Sequence, residues 1–265
     1  MDITQAIILA LVQGLTEFLP VSSSAHLILA PLVAGWSDQG LAFDVAVHVG
    51  TLSAVIFYFR CDLLALSRGW IRSCTNRSLD PDGKLAWALL IATIPVAFFG
   101  YLLHDLVETT LRSPLVIAST TIGFGALLWF ADTIAKRIQS EKQLGWREII
   151  IIGFAQALAL VPGTSRSGIT MTAGLLLGME RTACVRFSFL LSIPVIALAG
   201  GYETVKLLSQ NIAVDWQLMA TGVLLSASAA WLTVFLFLKF IERMGMLPFV
   251  IYRFALGLLL FYLFL

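Results

Sequence analysis

Charged residues are scarce in this sequence: of 265 residues, 12% are charged and 59% are hydrophobic. A soluble globular protein has about 25% charged and roughly 45–50% apolar residues, so that class is excluded. The mean hydropathy of +0.92 leads to the same conclusion. The composition therefore predicts a polytopic membrane protein with one helical membrane domain over residues 1–265.

Net charge and cysteine are also low. The formal net charge of +1 gives no indication of nucleic acid, and we expect no nucleic-acid partner. The three cysteines are odd in number and form no Cys-x-x-Cys pair, so we expect reduced thiols rather than disulfides. The first residues lack the basic segment of a cleaved signal peptide, and we interpret them as mature sequence.

Apolar runs of two lengths follow one another along the chain. Six are long enough to span a membrane: 41–59, 85–103, 115–135, 183–201, 218–238 and 247–265. Four shorter runs form two pairs, 3–19 with 26–33 and 149–161 with 169–179, interrupted near Pro20 and Pro162. Each pair predicts a re-entrant hairpin, which enters and leaves the membrane on the same side. The segments 60–84, 104–113 and 136–147 are predicted to be loops.

The two halves of the chain repeat this plan. Repeat one (about 1–137) and repeat two (about 146–265) each contain a hairpin and three spans, and an odd number of spans gives the halves opposite orientations. Most of the 17 basic residues fall on one side, which the positive-inside rule makes cytoplasmic. Arg112 and Lys206 fall on the other side. Both termini are then periplasmic, and the hairpin tips meet from opposite faces.

Two basic residues, Arg166 and Arg253, lie inside membrane segments of this scheme. Arg253 is predicted to extend its side chain to the cytoplasmic surface and to be structural. Arg166 lies in the second tip. An ionisable group at membrane depth costs roughly 2.5–3.5 kcal/mol on insertion scales, which marks such a group as a functional candidate.

The hairpin tips share one pattern, in which a Gln precedes a Pro and a cluster of hydroxyl residues. The first is 13–26 (QGLTEFLPVSSSAH) and the second is 156–168 (QALALVPGTSRSG). The hydroxyl residues can begin the second helix of each hairpin, and a helix start binds anions through its free N–H groups. With Arg166, these starts form a cradle suited to phosphate or pyrophosphate. The substrate-binding candidates are Gln13, Ser22, Ser23, Ser24, Thr164, Ser165 and Ser167.

Catalytic roles are predicted for Glu17, His26 and Arg166. His26 is a proton-transfer group or nucleophile near neutral pH. Glu17 can orient His26, act as a base, or hold a divalent cation together with pyrophosphate oxygens. Arg166 stabilises charge on a transferring phosphoryl group. Asp44 and His48, four residues apart, are either supporting groups of the site or partners in a hydrogen bond between helices.

The two tip motifs, together with 43–48 (FDVAVH) and 186–194 (RFSFLLSIP), closely resemble the undecaprenyl-pyrophosphate phosphatase family of the bacitracin-resistance type. These are lipid-carrier phosphatases of bacterial cell-wall synthesis. The resemblance covers essentially the whole chain. It implies an enzyme of the bacterial plasma membrane that removes the terminal phosphate of undecaprenyl pyrophosphate.

The resemblance also implies site residues and a cofactor. The catalytic His of the family falls on His26, its essential Arg on Arg166, and its hydroxyl positions on Ser22, Ser23, Ser24, Ser165 and Ser167. Its acidic motif falls on Gln13 and Glu17. Because Gln13 removes one carboxylate of a two-carboxylate metal site, Glu17 must carry more of that role. The family is described as favouring divalent cations, so we expect Mg²⁺ or Ca²⁺.

A transporter is the alternative from another class. Inverted repeats with broken hairpins are common among secondary transporters, and this arrangement could flip a polyprenyl phosphate across the bilayer. Hydrolysis distinguishes the two functions, because a carrier needs no nucleophile or proton donor. For either function, apolar walls between the spans are predicted to receive a prenyl tail. The sequence leaves open the nucleophile and whether the protein forms a homodimer.

Overall fold

The computed structural model describes residues 1–76, 78–209 and 215–265, with the side chains of Asp105 and Glu108 left out. This part of the chain is helical, and it contains no β-strand beyond a single bridge between Gln139 and Met179. The helices are α1 (Ile3–Thr16), α2 (Ser23–Ala34), α3 (Leu41–Tyr58), α4 (Arg60–Asn76), α5 (Pro81–Leu102), α6 (His104–Thr109), α7 (Pro114–Ile134), α8 (Trp146–Ala157), α9 (Arg166–Leu176), α10 (Arg181–Ser209), α11 (Trp216–Met244) and α12 (Leu247–Phe264). A 3-10 turn, Leu158–Leu160, follows α8.

Within the described ranges, six helices are long and apolar enough to cross a membrane, namely α3, α5, α7, α10, α11 and α12. They coincide with the six long apolar runs of the sequence. Large apolar side chains on these helices face outwards; Leu258 and Tyr262 of α12, for example, are 64% and 85% exposed. Outward-facing apolar side chains suit a lipid environment. The chain is a multi-pass helical membrane protein.

Aspartates cap several of these helices. Asp2 forms a capping box with Gln5, in which each side chain bonds to the backbone of the other residue. Asp80 accepts a hydrogen bond from Gly83 N at 2.7 Å, and Pro81 occupies the first helical position of α5. These residues satisfy N–H groups that have no partner within their own helix.

The prediction of a loop over 60–84 was wrong, because most of this segment forms helix α4. The helix is amphipathic: Leu66 and Gly69 are buried, whereas Arg68 and Arg72 are exposed. It packs against α5. Its polar residues lower the average hydropathy of the segment. Because the loop was predicted from this average, the helical spacing of the apolar residues was missed.

The four helices of the two predicted hairpins, α1, α2, α8 and α9, pack against the long helices, and α9 is the most deeply buried of them. Helix α1 packs against α11, α8 packs against α5, and α9 packs against α7 and α10. Phe18, in the break after α1, is fully buried and contacts Phe189 of α10 with ring centroids 5.1 Å apart. Most of the first break (residues 17–22) and the end of the second break (162–165 of 158–165) are therefore buried, so that protein surrounds their irregular backbone, whereas Leu158 is exposed.

Candidate active site

Glu17 lies in the first break, directly after α1, and only 8% of it is exposed. Its Oε2 accepts hydrogen bonds from Gln13 Nε2 at 3.0 Å and from Ser23 Oγ at 2.5 Å. Gln13 and Glu17 thus share one helix face, as their spacing predicts. The carboxylate is held in one orientation from both sides of the break.

Arg166 joins the second break to the first. Its Nη2 donates to Glu17 Oε1 at 3.0 Å, and its Nη1 donates to the carbonyl oxygen of Ser188 at 3.2 Å. Both side chains of this ion pair are largely buried, at 12% and 7% exposure. The sequence analysis predicted that the tips meet, and here two charged groups 149 positions apart in the chain are in contact.

Hydroxyl groups make further contacts at the second break. Ser167 Oγ donates to the Leu19 carbonyl oxygen at 2.8 Å, which is a second link to the first break. Ser165 caps α9, because its Oγ accepts from Gly168 N at 3.2 Å. Ser22 occupies the equivalent N-cap position of α2, but its hydroxyl makes no capping bond and instead lies 3.3 Å from Ser24 Oγ.

Gly163 allows the second break to pass close to α7. Its φ is +89°, and a Cβ atom there would lie 2.2 Å from Thr120 Oγ1 and 2.6 Å from the Ile117 carbonyl oxygen. Thr120 Oγ1 also donates to the Pro162 carbonyl oxygen at 2.6 Å. The backbone of this tip is therefore fixed against α7, and only glycine fits at its turn.

Arg253 of α12 donates hydrogen bonds to backbone carbonyl oxygens of both breaks. Its guanidinium donates to Pro20 O at 3.1 Å in the first break, and to Gly163 O at 2.9 Å and Thr164 O at 3.0 Å in the second. Two further bonds reach Thr120 O and Thr121 O on α7. Arg253 is fully buried. The prediction that it extends to the cytoplasmic surface was wrong, because five carbonyl oxygens in the interior satisfy its five N–H donors.

A cavity of about 460 Å³ opens beside the Glu17–Arg166 pair. We call it the site cavity. Its lining includes several of the residues predicted from the sequence: Glu17, Ser22, Ser23, Ser24, Ser165 and Arg166. The two breaks, together with the first residues of α2 and α9, thus present a carboxylate, a guanidinium and four hydroxyls to one cavity.

Other predicted residues lie next to the site cavity but do not line it. Gln13 contacts Glu17, and Ser167 bonds to the first break. Thr164 is fully buried, and its carbonyl oxygen bonds to Arg253. These three residues support the positions of the lining groups.

His26 does not line the site cavity either, and it is oriented by two contacts outside the Glu17 cluster. Its Nδ1 lies 2.7 Å from the Ser22 carbonyl oxygen, and its Nε2 lies 2.5 Å from Tyr252 Oη. A carbonyl oxygen can only accept, so Nδ1 carries a proton and a neutral His26 accepts at Nε2 from the Tyr252 hydroxyl. Within the described residues, no hydrogen bond or ion pair joins His26 to Glu17. Its catalytic role stays a prediction.

A family profile described as "Bacitracin resistance protein BacA" matches residues 6–259. The chain belongs to this family. It is 57% identical to "Undecaprenyl-diphosphatase 2" of Stutzerimonas stutzeri (strain A1501), over all of this chain and 99% of the relative. It is 55% identical to "Undecaprenyl-diphosphatase" of Nitrosococcus oceani, over the whole of both chains. It is also 57% identical to "Undecaprenyl-diphosphatase" of Alcanivorax borkumensis, over 99% of each.

In this member of the BacA family, the site cavity has five further polar or charged lining residues, of which only Asp44 and His48 were considered for the site from the sequence. They are Gln39, Asp44, His48, Arg112 and Glu203. Gln39 Nε2 donates to Asp44 Oδ1 at 2.8 Å. The sequence carried a signal only for Asp44 and His48, as polar residues four apart in a span. The others lie near segment ends, where polar residues are ordinary.

An apolar cavity of about 330 Å³ adjoins the site cavity, and we call it the apolar arm. It lies between α5 and α10, and its walls include Val96, Ala97, Gly100 and Leu198. Leu160, Val195 and Ala199 line both cavities. The charged space at the breaks therefore continues into an apolar one.

The residues at the breaks do not fit a divalent cation held by protein ligands alone. Glu17 is the nearest carboxylate, and both of its oxygens already accept hydrogen bonds from Arg166, Gln13 and Ser23. In the described ranges, no three His, Cys, Asp or Glu side chains are grouped to hold a metal. Gln13 Oε1 is buried and, among the described residues, has no hydrogen-bond partner, so it would be one further oxygen available to a cation.

Proposed function

We propose that this protein hydrolyses undecaprenyl diphosphate to undecaprenyl phosphate and inorganic phosphate in a bacterial plasma membrane. The observation that carries the proposal is the Glu17–Arg166 pair, which joins the two breaks at the wall of a cavity that continues into an apolar arm. This combination suits a lipid with a diphosphate head. The full-length relatives named undecaprenyl-diphosphatase support the same substrate and reaction.

The breaks would hold the diphosphate by charge and by hydrogen bonds. Arg166 supplies donors to phosphate oxygens, and Ser22–Ser24 and Ser165 supply hydroxyls. The starts of α2 and α9 add N–H groups, and the positive charge of Arg253 lies behind both breaks. Fixed donors of this kind stabilise charge that develops on a transferring phosphoryl group.

In the reaction, one water molecule is consumed and the bond between the terminal phosphorus and the bridging oxygen breaks. The bridging oxygen leaves with the lipid phosphate, and the terminal phosphoryl group departs as inorganic phosphate. His26 is our candidate for proton transfer. Its Nε2 exchanges a proton with the reactants only when the Tyr252 hydroxyl releases it, because Nδ1–H is bonded to Ser22 O.

An inverted repeat accounts for the arrangement of the breaks. Under this proposal α1, α2, α3, α5 and α7 correspond to α8, α9, α10, α11 and α12. The contacts between helices support this correspondence. The contact of α1 with α11 is equivalent to the contact of α8 with α5, and the contacts α3–α10 and α7–α12 each join two corresponding helices. The hairpins then enter from opposite faces, and both termini are periplasmic.

A divalent cation, Mg²⁺ or Ca²⁺, remains part of the proposal, held chiefly by the diphosphate oxygens.

The first test is phosphate release from undecaprenyl diphosphate by the purified protein in detergent. We expect release by the wild type and a loss of about 10²–10⁴-fold in His26→Ala, because a proton-transfer group contributes about that much. Ser228→Ala is the control, since this exposed hydroxyl bonds only within α11. Full activity of His26→Ala removes His26 from the mechanism. No release by the wild type makes lipid transport the leading function.

A second test concerns the prenyl tail. Affinity should rise as the tail lengthens, by about 0.8 kcal/mol for each buried methylene, until the apolar arm is full. Ala97→Trp, which places an indole in the apolar arm, should raise the KM for long-tailed diphosphates and leave that for a short-tailed one unchanged. An affinity independent of tail length, or equal effects of Ala97→Trp on both substrates, contradicts this placement.

A further inference from the structure

His48 lies on α3 and faces the site cavity. Its Nδ1 is 2.7 Å from the carbonyl oxygen of Asp44, one turn earlier in the same helix. Since that oxygen only accepts, Nδ1 carries the proton, and the bond fixes the direction of the ring. The other nitrogen, Nε2, is thereby aimed towards the breaks, where Glu17 Oε2 lies 3.9 Å away.

Nε2 of His48 has no hydrogen-bond partner among the residues that the structure describes. The separation of 3.9 Å from Glu17 is too long for a hydrogen bond. His26 is different, because both of its nitrogens are occupied. An imidazole that served only to hold helices together would bond across to a neighbouring helix, as Arg253 does. His48 instead leaves one nitrogen facing a polar cavity, with one third of the side chain exposed.

The Glu17 carboxylate lies between His48 and Arg166. Arg166 bonds to Oε1, and His48 is close to Oε2. A ligand that sits against Arg166 in the site cavity can therefore reach the His48 ring as well. Ser23 also bonds to Glu17 Oε2, so its hydroxyl lies on the same side of the carboxylate as His48.

We propose that His48 is a further substrate-binding residue, which contacts the diphosphate through Nε2. The inference rests on the proposed function and adds a residue from α3 to the two breaks. The contact forms in either protonation state, because Nε2–H donates to a phosphate oxygen and an unprotonated Nε2 accepts from a phosphate hydroxyl. The diphosphate is thus held from three elements, the first break, the second break and α3.

The test separates substrate binding from stability. Kinetics of phosphate release from undecaprenyl diphosphate are measured for His48→Leu, His48→Gln and His48→Asn. We expect His48→Leu and His48→Asn to raise KM roughly tenfold, the effect of one lost hydrogen bond to a charged group, with kcat within about twofold. Gln places an N–H near the position of Nε2 and should restore KM, whereas Asn is too short to reach.

Inorganic pyrophosphate is the second probe, as a competitive inhibitor. Its Ki should rise with KM in His48→Leu and return with His48→Gln. Ser53→Ala is the matched control on the same helix, because Ser53 is exposed and its hydroxyl bonds only to Gly50 O. Thermal unfolding in detergent is followed for every variant. If His48→Leu does not fold, the KM values of His48→Gln and His48→Asn are compared instead, and they decide whether His48 binds the substrate.

Two results overturn the inference. One is an unchanged KM and Ki in His48→Leu and His48→Asn while the wild type releases phosphate. The other is a parallel fall in unfolding temperature and kcat that His48→Gln does not reverse, which assigns His48 to stability. A wild type that releases no phosphate contradicts the proposed function itself, and the two failures are therefore distinguishable.

Discussion

Replacing Arg166 by alanine should lower phosphate release by at least about a thousandfold. The variant loses the donors that stabilise charge on the phosphoryl group, and a single such donor contributes about 10²–10³-fold. It also leaves Glu17, with 8% exposure, without its cation. Arg166→Lys keeps the charge but not the planar pair of donors to Glu17 and Ser188 O, so we expect a loss of about a hundredfold.

Loss of folding must be separated from loss of catalysis in this experiment. The double variant Glu17→Gln/Arg166→Ala removes both charges, so it should recover much of the unfolding temperature lost by Arg166→Ala without recovering phosphate release. Arg243→Ala, at an exposed arginine of α11, is the control for removing a positive charge. An Arg166→Ala protein with more than a tenth of wild-type activity would show that Arg166 does not act on the transition state.

Replacing Arg253 by methionine should destabilise the protein by about 3 kcal/mol or more and abolish phosphate release. Five carbonyl oxygens would lose their donor, and each buried acceptor left unsatisfied costs about 1–3 kcal/mol before the structure relaxes. Because three of these oxygens belong to the breaks, the two tips should separate. Thermal unfolding monitored by tryptophan fluorescence measures the first effect, and the phosphate assay measures the second.

Matched variants sharpen this prediction. Arg253→Lys keeps a donor for some of the carbonyl oxygens and should be intermediate in both measurements. Lys239→Met removes an exposed cation of α11 that lies over the rings of Phe235 and Phe240, and it should change neither measurement. If Arg253→Met unfolds like the wild type and stays active, the breaks hold together without it.

The six long helices could be predicted from the sequence because a membrane span needs a long apolar run. The predicted run 41–59 became Leu41–Tyr58, and 115–135 became Pro114–Ile134. The approach of the two tips was also predicted, from the odd number of spans in each half, and the contact between Glu17 and Arg166 agrees with it. These predictions depend on composition and on local breaks in the chain, which a sequence displays directly.

Other features depend on contacts between distant segments. Arg253 looked like a residue near a helix end, and nothing in its neighbourhood indicated five carbonyl acceptors from three other segments. Likewise, the spacing of Glu17 and His26 does not determine ring orientation, and Tyr252, 226 positions away from His26, is the residue that bonds Nε2. The sequence left His48 either as a supporting group of the site or as a partner in a hydrogen bond between helices, and the cavity shows that it faces the site.

The positive φ at two serines sets backbone strain against the hydroxyl groups of the site. Ser22 has φ +70° and Ser165 has φ +71°, each at the residue before the second helix of its hairpin. Such a conformation costs a non-glycine residue about 1–3 kcal/mol, which glycine avoids. This chain has a hydroxyl rather than glycine at both positions, although Gly163 of the second break is a glycine at positive φ. Variants with glycine at these two positions are therefore expected to be more thermostable and to have a lower kcat.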